Sequence, residues 1–496
     1  MPPTGYLTEQ GIGSCLEYLA STFPSICQLL ILPATSAEGR TCRAIKIAKG
    51  SGADRHGVLF ISGVHARELV PPDLLVSLAL KLCQAYTSGT GLAFGNKAYD
   101  ALTVKLTIEA LDLFILPLVN PDGRAYVQSP SGDPWWRKNR SASSGLPCKG
   151  VDLNRNYDFL WSSGIGTSSN SCSDVFHGTA AFSEPETRNV RHLLDTYSNI
   201  CCMIDVHSFS QLILHPWGDD ETQTTDPAMN FANPAYNDLR GTVGDTAYKE
   251  YMPPEDLKWL ATAGTNMRDA IQEVRGTVYK VEPGVLLYPT SGVSKDYAFG
   301  RHLVNTSKRR VYAYTVETGL EFQPPYAEAL SVISEVSAGL IQFCLSSLCV
   351  VEETVSGTDL AAALDDMRAF RDREMLRMVA GRRYDQELVK HSAELLQIIM
   401  GDPQLRKQTV GVLRHVYEVV RSRNDPKPKV FEASIVEEAR NLADKFAKKA
   451  SPALRTSIAE LRREVKYFRG KTVAQALKSA SSGKIPRQLN ESNHHQ

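Results

Sequence analysis

The sequence predicts an α/β fold, with a mixed central sheet flanked by helices, followed by an all-α C-terminal region. Short apolar runs alternate with helically spaced apolar residues as far as about residue 347, and the pattern becomes helical after the polar stretch 352–358. With 496 residues and 43% hydrophobic content, the chain can bury a large core and form a second domain. We expect a first domain over 1–347, a linker over 348–358, a helical region over 359–480 and a disordered tail over 481–496.

Apolar runs of strand length predict the strands, and apolar residues at helical spacing predict the helices. The expected strands are 27–32, 44–48, 57–62, 113–119, 202–206 and 311–316. Helices are expected at 74–86 and 184–197, the second opened by a capping box from Ser183 to Glu186. The helices expected in the C-terminal region are 360–380, 386–400, 404–422, 434–450 and 454–467. They favour a small bundle that packs on the first domain or binds a protein partner.

The charge distribution argues against several classes of partner. The chain has 55 basic and 55 acidic side chains, which gives no reason to expect binding to nucleic acid or an anionic membrane. Residues 351–496 hold 27 Lys and Arg against 20 Asp and Glu, an excess that is typical of solvated helix faces. No apolar run approaches the ~18 residues of a membrane-spanning helix, and the first residues lack the features of a signal peptide. We therefore expect no membrane partner and, by default, a cytoplasmic location.

The candidate chemistry begins where the strand 57–62 ends. His65 and Glu68 lie three residues apart in a turn, so both side chains can reach one divalent ion. Alone this pair is a weak signal, because such spacing also occurs by chance. His207 strengthens it, since it follows the strand 202–206 in the same way and such positions meet at the carboxyl ends of strands. Two His and one Glu leave a fourth zinc position open, as a catalytic site needs.

Two further strand ends bring polar groups to the same edge. The strand 113–119 runs into the turn that begins at Asn120, and the strand 311–316 runs into Glu317. Because Glu317 ends an apolar run, it either caps an edge of the sheet or faces the crevice as a proton acceptor. The residues alone leave both interpretations open.

Five motifs, in this order, resemble the zinc metallocarboxypeptidases of the carboxypeptidase A/B type. The resemblance spans residues 5 to about 345, and the motifs are HARE at 65–68, NPDG at 120–123 followed by WRK at 136–138, GVDLNRN at 150–156, DVHSFSQ at 205–211, and YPTSGVSKD at 288–296 leading to Glu317. It implies a carboxypeptidase-like fold, one bound zinc ion, and hydrolysis of the C-terminal bond of peptides or proteins.

The resemblance implies a role for each matching residue at the reaction centre. His65, Glu68 and His207 would be the zinc ligands. Glu317 would be the general base that takes a proton from the attacking water. Arg137 would stabilise the oxyanion of the tetrahedral intermediate.

Further matching residues would bind the substrate. Asn154 and Arg155 would hold the terminal carboxylate, because a guanidinium fork matches a carboxylate in geometry and charge. Tyr288 would close over the bound residue. Arg67 and Ser208 would line the next subsite. This arrangement implies an exopeptidase, since only a free C-terminus supplies the carboxylate.

The same resemblance places Lys295 at the bottom of the pocket for the leaving side chain. An ammonium group in a desolvated pocket pairs with a carboxylate and disfavours a cation or an apolar chain, so we expect a preference for C-terminal Glu or Asp. The alternatives are that Lys295 turns outward or pairs with an acidic neighbour such as Asp296.

Some expectations stay open at this point. Cys148 and Cys172 match a disulfide pair of the family, but a reducing cytosol would keep them as thiols. Besides an exopeptidase for acidic C-termini, the chain could be a peptidase that trims glutamate chains or γ-linked peptides. An inactive carboxypeptidase-like binding module is disfavoured, because every matching catalytic position holds a competent residue. A serine hydrolase is disfavoured as well, since the chain has no G-x-S-x-G segment.

Overall fold

The computed structural model describes residues 5–50, 55–142 and 145–481. The chain divides into two compact units, Met1–Ser347 and Leu348–Gln496. The expected tail lies outside the described residues except for Ser481, which ends the last helix.

A mixed sheet of eight strands runs through the first unit. Its spatial order is β1-β2-β6-β3-β7-β12-β8-β11, in which β6, β3, β7 and β12 are mutually parallel. Two short two-stranded sheets accompany it, β4 with β5 and β9 with β10. The strands are β1 (Cys27–Ile31), β2 (Arg43–Ile47), β3 (His56–Ser62), β4 (Leu92–Phe94), β5 (Lys97–Tyr99), β6 (Leu111–Leu116), β7 (Ile200–His207), β8 (Leu212–His215), β9 (Thr222–Gln223), β10 (Glu250–Tyr251), β11 (Lys280–Pro283) and β12 (Tyr312–Glu317).

The parallel strands lie at the centre of the core. Every residue of β6 and β7 is buried, as is every residue of β3 after His56. Continuous apolar runs of this kind are expected where helices cover both faces of a parallel sheet. The mixed sheet flanked by helices confirms the predicted fold class, and each of the six expected strands overlaps an observed one.

Helices α2, α6 and α8 pack together in the first unit. Gly339 of α8 permits this, because a Cβ there would lie 2.7 Å from Cγ1 of Ile271 in α6. The helices are α1 (Glu9–Thr22), α2 (Val70–Ser88), α3 (Ala101–Glu109), α4 (Pro121–Gln128), α5 (Pro185–Thr196), α6 (Pro254–Arg275), α7 (Ser294–Val304) and α8 (Tyr326–Ser347).

Helix α8 differs from the expectation that no apolar segment approaches the length of a membrane-spanning helix. Among the described residues, α8 is long and apolar enough to cross a membrane by length and composition, and 78% of its most apolar window is buried inside the protein. No unbroken apolar run marks this helix in the sequence, because Glu335 lies among its apolar residues.

The capping box predicted for α5 is wrong. The Ser183 hydroxyl donates to Oε1 of Glu184 instead of capping a backbone amide, and Glu184 itself is the N-cap residue, without a side-chain cap bond. The helix begins at Pro185, whose missing N–H and fixed φ suit the first helical position.

The second unit is helical. Its helices are α9 (Val350–Val355), α10 (Leu364–Phe370), α11 (Val379–Lys390), α12 (Ser392–Met400), α13 (Pro403–Arg421), α14 (Ala433–Lys449), α15 (Pro452–Val465) and α16 (Val473–Ser481). The single helix expected over 360–380 is instead divided, with a π-helical turn at Arg371–Met375 after α10. Helix α9 occupies part of the segment expected to be a linker.

Candidate metal centre and substrate site

The site lies at the carboxyl ends of the parallel strands. Val206 of β7 pairs with Ser62 of β3 on one side and with Val316 of β12 on the other. After β3 the chain turns at Gly63, whose φ of +62° belongs to the left-handed region, and a Cβ there would lie 2.8 Å from Leu118. These features bring the segment after β3 alongside the ends of β7 and β12.

His65, Glu68 and His207 form a compact, buried cluster. Nδ1 of His65 lies 2.7 Å from Oε1 of Glu68, and Nδ1 of His207 lies 3.0 Å from Oε2 of the same carboxylate. The two Nδ1 atoms are 3.1 Å apart. The backbone N–H of Ser208 also donates to Oε2 of Glu68, which helps to orient the carboxylate.

These separations fit a zinc ion. Ligand atoms about 2.0–2.1 Å from a tetrahedral zinc ion lie about 3.3 Å from one another, so the three facing atoms need only small outward shifts. Nitrogen and carboxylate oxygen are among the ligand atoms that zinc accepts. Three protein ligands leave one coordination position for water or substrate, which is the pattern of catalytic rather than structural sites.

A carboxylate stands behind each imidazole of the cluster. Nε2 of His65 lies 3.1 Å from Oδ1 of Asp152, and Nε2 of His207 lies 3.0 Å from Oδ1 of Asp205. Such partners fix the orientation of a ligand ring and increase its basicity. Burial raises the pKa of Glu68, but His65 and His207 outweigh it and hold the pKa well below its ordinary value. Glu68 is thus kept as the carboxylate that a metal needs.

Asp152 also holds Arg137 beside the cluster. Nε and Nη2 of Arg137 lie 3.0 Å and 2.9 Å from Oδ2 of Asp152, and the carboxylate is fully buried. Burial raises the pKa of Asp152, but Arg137 and then His65 outweigh it and lower the pKa well below its ordinary value. One ionised carboxylate therefore positions both a metal ligand and a guanidinium group.

Glu317 is the last residue of β12 and pairs in register with His207 of β7. Burial raises the pKa of Glu317 to about 8, against the opposing effect of His207. Glu317 does not cap an edge of the sheet, because β12 lies between β7 and β8, and its carboxyl group interacts electrostatically with His207 and Glu68 of the cluster.

Arg155 and Asn154 lie next to the cluster in a short 3₁₀ turn, Leu153–Arg155. Nε of Arg155 donates to the Gly166 carbonyl, and Nη1 donates to that of Asn154. Oδ1 of Asn154 accepts from the backbone N–H of Ser294. The Tyr288 ring, which is half-exposed, has its centroid 5.9 Å from Cζ of Arg155.

Arg67 and Ser208 are the chain neighbours of Glu68 and His207. Cζ of Arg67 stands 4.4 Å above the ring of Phe322, which packs edge to face against the exposed ring of Phe209. The hydroxyl of Ser208 is buried and has no hydrogen-bond partner among the described residues. A donor or acceptor is therefore available there for a ligand.

Lys295 is buried, and its ammonium Nζ lies 2.7 Å from Oδ1 of Asp296. Two glycines give the ammonium room, because a Cβ on Gly284 or Gly218 would lie 2.6 Å or 3.0 Å from Nζ. Of the two alternatives left open by the sequence, Lys295 does not turn outward, but it does pair with Asp296.

The cysteine pair left open by the sequence is a disulfide in this structure. The sulfur atoms of Cys148 and Cys172 are joined, and the bond closes the loop that contains Asn154 and Arg155.

Comparison with known proteins identifies this constellation. A family model described as zinc carboxypeptidase matches residues 12–337, which is more than half of the chain. The chain belongs to the zinc carboxypeptidase family. The predicted family, enzyme class and zinc requirement of this carboxypeptidase are therefore confirmed, and the His-Glu-His cluster lies within the matched region.

Individual relatives of this zinc carboxypeptidase are similar over the same part of the chain. Carboxypeptidase B from Astacus astacus is 32% identical over 317 residues, which cover 63% of this chain and 86% of the relative. Carboxypeptidase A4 from Mus musculus is 30% identical over 330 residues, 66% of each chain. The crystal structure of carboxypeptidase A from Helicoverpa armigera matches with a TM-score of 0.52 and 26% identity, over 68% of this chain and 74% of that one.

The sequence did not reveal the carboxylates that support the site of this carboxypeptidase. Asp152 and Asp205 lie inside recognised motifs, yet their contacts with His65, Arg137 and His207 became apparent only in three dimensions. A usable signal exists for Asp205, an acidic residue in an otherwise apolar run, where an uncompensated charge is unfavourable.

Proposed function

We propose that the protein is a metallocarboxypeptidase that releases single residues from peptide C-termini and prefers acidic residues. The observation that carries the proposal is the in-register pairing of Glu317 with His207, which sets a proton acceptor beside a cluster that fits a catalytic zinc ion. The family supports the reaction class. The residue roles and the preference rest on the contacts described above.

The proposed chemistry divides between the metal and two side chains, Glu317 and Arg137. A zinc ion held by His65, Glu68 and His207 supplies Lewis-acid activation. Glu317 accepts a proton from the attacking water and returns it to the leaving amine, a task for which a carboxyl with a pKa near the working pH is suited. Arg137, whose side chain is 10% exposed and is oriented by Asp152, donates to the oxyanion that develops on the scissile carbonyl.

Restriction to the C-terminal bond follows from the anchor beside this centre. Arg155 is buried, so a terminal carboxylate that reaches its guanidinium loses water and gains a charge-assisted pair. Asn154 has its oxygen engaged by Ser294, which leaves its amide nitrogen for the same carboxylate. The exposed Tyr288 ring is free to close over the bound residue.

The preference for acidic residues rests on Lys295. Its ammonium group is nearly excluded from solvent. A cationic or apolar substrate side chain placed beside this group would gain no compensating contact. A Glu side chain would bring a carboxylate to this ammonium. The ion pair with Asp296 opposes that preference, because Asp296 already neutralises the charge.

The test is hydrolysis of blocked dipeptides that end in Glu, Phe or Arg, with and without a zinc chelator. We expect chelator-sensitive release of Glu in preference to Phe and Arg. Lys295→Met should lower kcat/KM for the Glu substrate by about a hundredfold, the scale expected when one member of a buried charge pair is removed. Lys105→Met, at an exposed lysine, is the matched control and should leave the preference unchanged.

Three results would redirect the proposal. Preference for Phe or Arg in the wild-type protein would remove the role given to Lys295 while leaving the reaction class intact. Selective cleavage of γ-linked over α-linked glutamate would favour trimming of glutamate chains or γ-linked peptides. Absence of cleavage of all substrates by zinc-loaded protein would contradict the proposed exopeptidase activity.

A further inference from the structure

The floor of the proposed side-chain pocket is an ion pair rather than a lone cation. Nζ of Lys295 donates to Oδ1 of Asp296 at 2.7 Å, and the backbone N–H of Gly218 donates to Oδ2 at 2.9 Å. Both charged side chains are at most 3% exposed. An acidic substrate side chain would therefore add a second negative charge to a buried floor that is already neutral.

Two titratable neighbours of this pair add no charge at neutral pH. Asp219 is fully buried, and burial, Glu250 and Asp296 raise its pKa well above the ordinary value, which favours its neutral form. Burial lowers the pKa of His215 to about 4, and the charge of Lys295 contributes in the same direction. Neither group can neutralise an incoming carboxylate.

The other charged groups near the pocket have partners of their own. Burial raises the pKa of Glu250 to about 7, and Nε of Arg240 lies 3.9 Å from its Oε2. Asp205 accepts a hydrogen bond from Ser294 and contacts His207. The charge balance at the floor is therefore decided by Lys295 and Asp296.

We infer that Asp296 is a specificity-determining residue, which must bind a proton for the pocket to accept an acidic side chain and must be ionised for it to accept the matching amide. This inference rests on the proposed function of Lys295. When the carboxylate of a substrate Glu side chain pairs with the Lys295 ammonium group, the Asp296 carboxylate binds a proton from solvent. The floor of the pocket then stays neutral. A Gln side chain needs no proton, because its oxygen accepts from Lys295 and its nitrogen donates to ionised Asp296.

The environment of Asp296 favours proton uptake. Burial raises its pKa above the ordinary value, although Lys295 and the Gly218 amide oppose the change. Release of the Lys295 hydrogen bond to a substrate removes part of that opposition. Occupancy of the pocket by a carboxylate therefore favours protonation of Asp296 further.

The experiment compares kcat/KM for three blocked dipeptides that differ only in the last side chain: Glu, Gln and homocysteate. Homocysteate carries a sulfonate, which stays ionised at every pH used and cannot itself take up the proton. Zinc-loaded protein with the whole chain is assayed from about pH 5 to about pH 9. The kcat/KM of each acidic substrate is then divided by the kcat/KM of the Gln substrate. Ionisations shared by all three reactions, such as that of Glu317, cancel in the ratio.

We expect both ratios to fall about tenfold per pH unit across the assayed range in the wild-type protein, because the acidic substrates need protonated Asp296 and the Gln substrate needs it ionised. Asp296→Asn, which keeps the shape of the side chain and an acceptor for Gly218, should make both ratios independent of pH. Circular dichroism and zinc content establish that this variant is folded. If it does not fold, the slope of the wild-type homocysteate ratio decides the question alone.

A wild-type homocysteate ratio that is flat with pH overturns the inference, because the proton would then belong to the Glu substrate. A slope that persists in folded Asp296→Asn also overturns it. These results leave the proposed function intact if Glu is still preferred over Phe and Arg. Loss of that preference at every pH would instead contradict the proposal that Lys295 recognises an acidic substrate side chain.

Discussion

Glu317 lies directly opposite His207 at the ends of two adjacent parallel strands, β12 and β7. Each is the last residue of its strand, so backbone pairing sets the spacing between the proposed base and a metal ligand. Sites built on strands hold their geometry more closely than sites built on loops. Substitutions at these positions should therefore act on chemistry with little effect on the fold.

Glu317→Gln should abolish the proton acceptor while preserving the shape of the side chain. We expect kcat to fall by about 10²–10⁴, the usual contribution of general acid-base catalysis, with zinc content unchanged. Steady-state kinetics and metal analysis of the purified variant measure both quantities. Glu321→Gln, at an exposed position close by in the sequence, should behave as wild type. Loss of zinc from Glu317→Gln would show that the residue acts mainly on the metal.

Asp152→Asn should weaken zinc binding although Asp152 is not a ligand. The carboxylate orients His65 and Arg137, and removal of such a partner typically costs about 10–100-fold in metal affinity or activity. Chelator competition gives the affinity, and kcat/KM gives the effect on the reaction. Asp158→Asn is the control, because Asp158 is exposed on the same segment. Unchanged zinc affinity together with unchanged kcat/KM would refute the positioning role.

Zinc should stabilise the folded first unit as well as support activity. Binding to the native state alone adds about 2.7 kcal/mol when free zinc is about 100 times the Kd. Thermal unfolding of chelated protein, followed by titration with zinc, should show a rise in Tm that His65→Ala lacks. His415→Ala replaces a half-exposed histidine and should keep the rise. An equal rise in His65→Ala would place the bound zinc elsewhere.

Glu186 should make the protein less stable as the pH rises from about 4.5 to about 7. Burial raises its pKa in the folded state from 4.5 to about 7, so the folded protein binds this proton more tightly than the unfolded chain does. The associated stabilisation is complete below the unfolded pKa and is lost as the pH passes the folded one, with an upper limit of about 3 kcal/mol.

Urea unfolding of Glu186→Gln at about pH 5 and about pH 8 checks this prediction, because the amide does not titrate. The difference in unfolding free energy between the two pH values should be smaller in the variant than in the wild type. The exposed substitution Glu321→Gln should leave that difference unchanged. The same difference in Glu186→Gln and wild type would show that other groups cause the pH dependence.

The sequence predicted the sheet and the metal cluster because both depend on patterns that are local. The runs that become β3, β7 and β12 are mainly apolar, and the polar residues at or just after their ends mark the edge where ligands bind. Strands β8 and β11, which complete one side of the sheet, were not predicted. Each has only four residues and lies in a segment rich in turns, so their partners rather than their composition define them.

The ion pair of Lys295 with Asp296 illustrates what sequence could not decide. Neighbouring residues on a helix normally point in different directions, so adjacency alone does not predict a contact. Here both lie in the first turn of α7, and the N–H of Gly218, from a distant part of the chain, holds the carboxylate in place. The pairing thus depends on tertiary structure that no local pattern encodes.

The position of β12 also bears on how the site forms during synthesis. The strand is the last of the sheet in chain order, yet it lies between β7 and β8. A growing chain therefore contains every proposed zinc ligand by residue 207 but receives Glu317 only about 110 residues later. With these proposed roles, all metal ligands are synthesised before the base, so hydrolysis cannot begin until β12 completes the sheet.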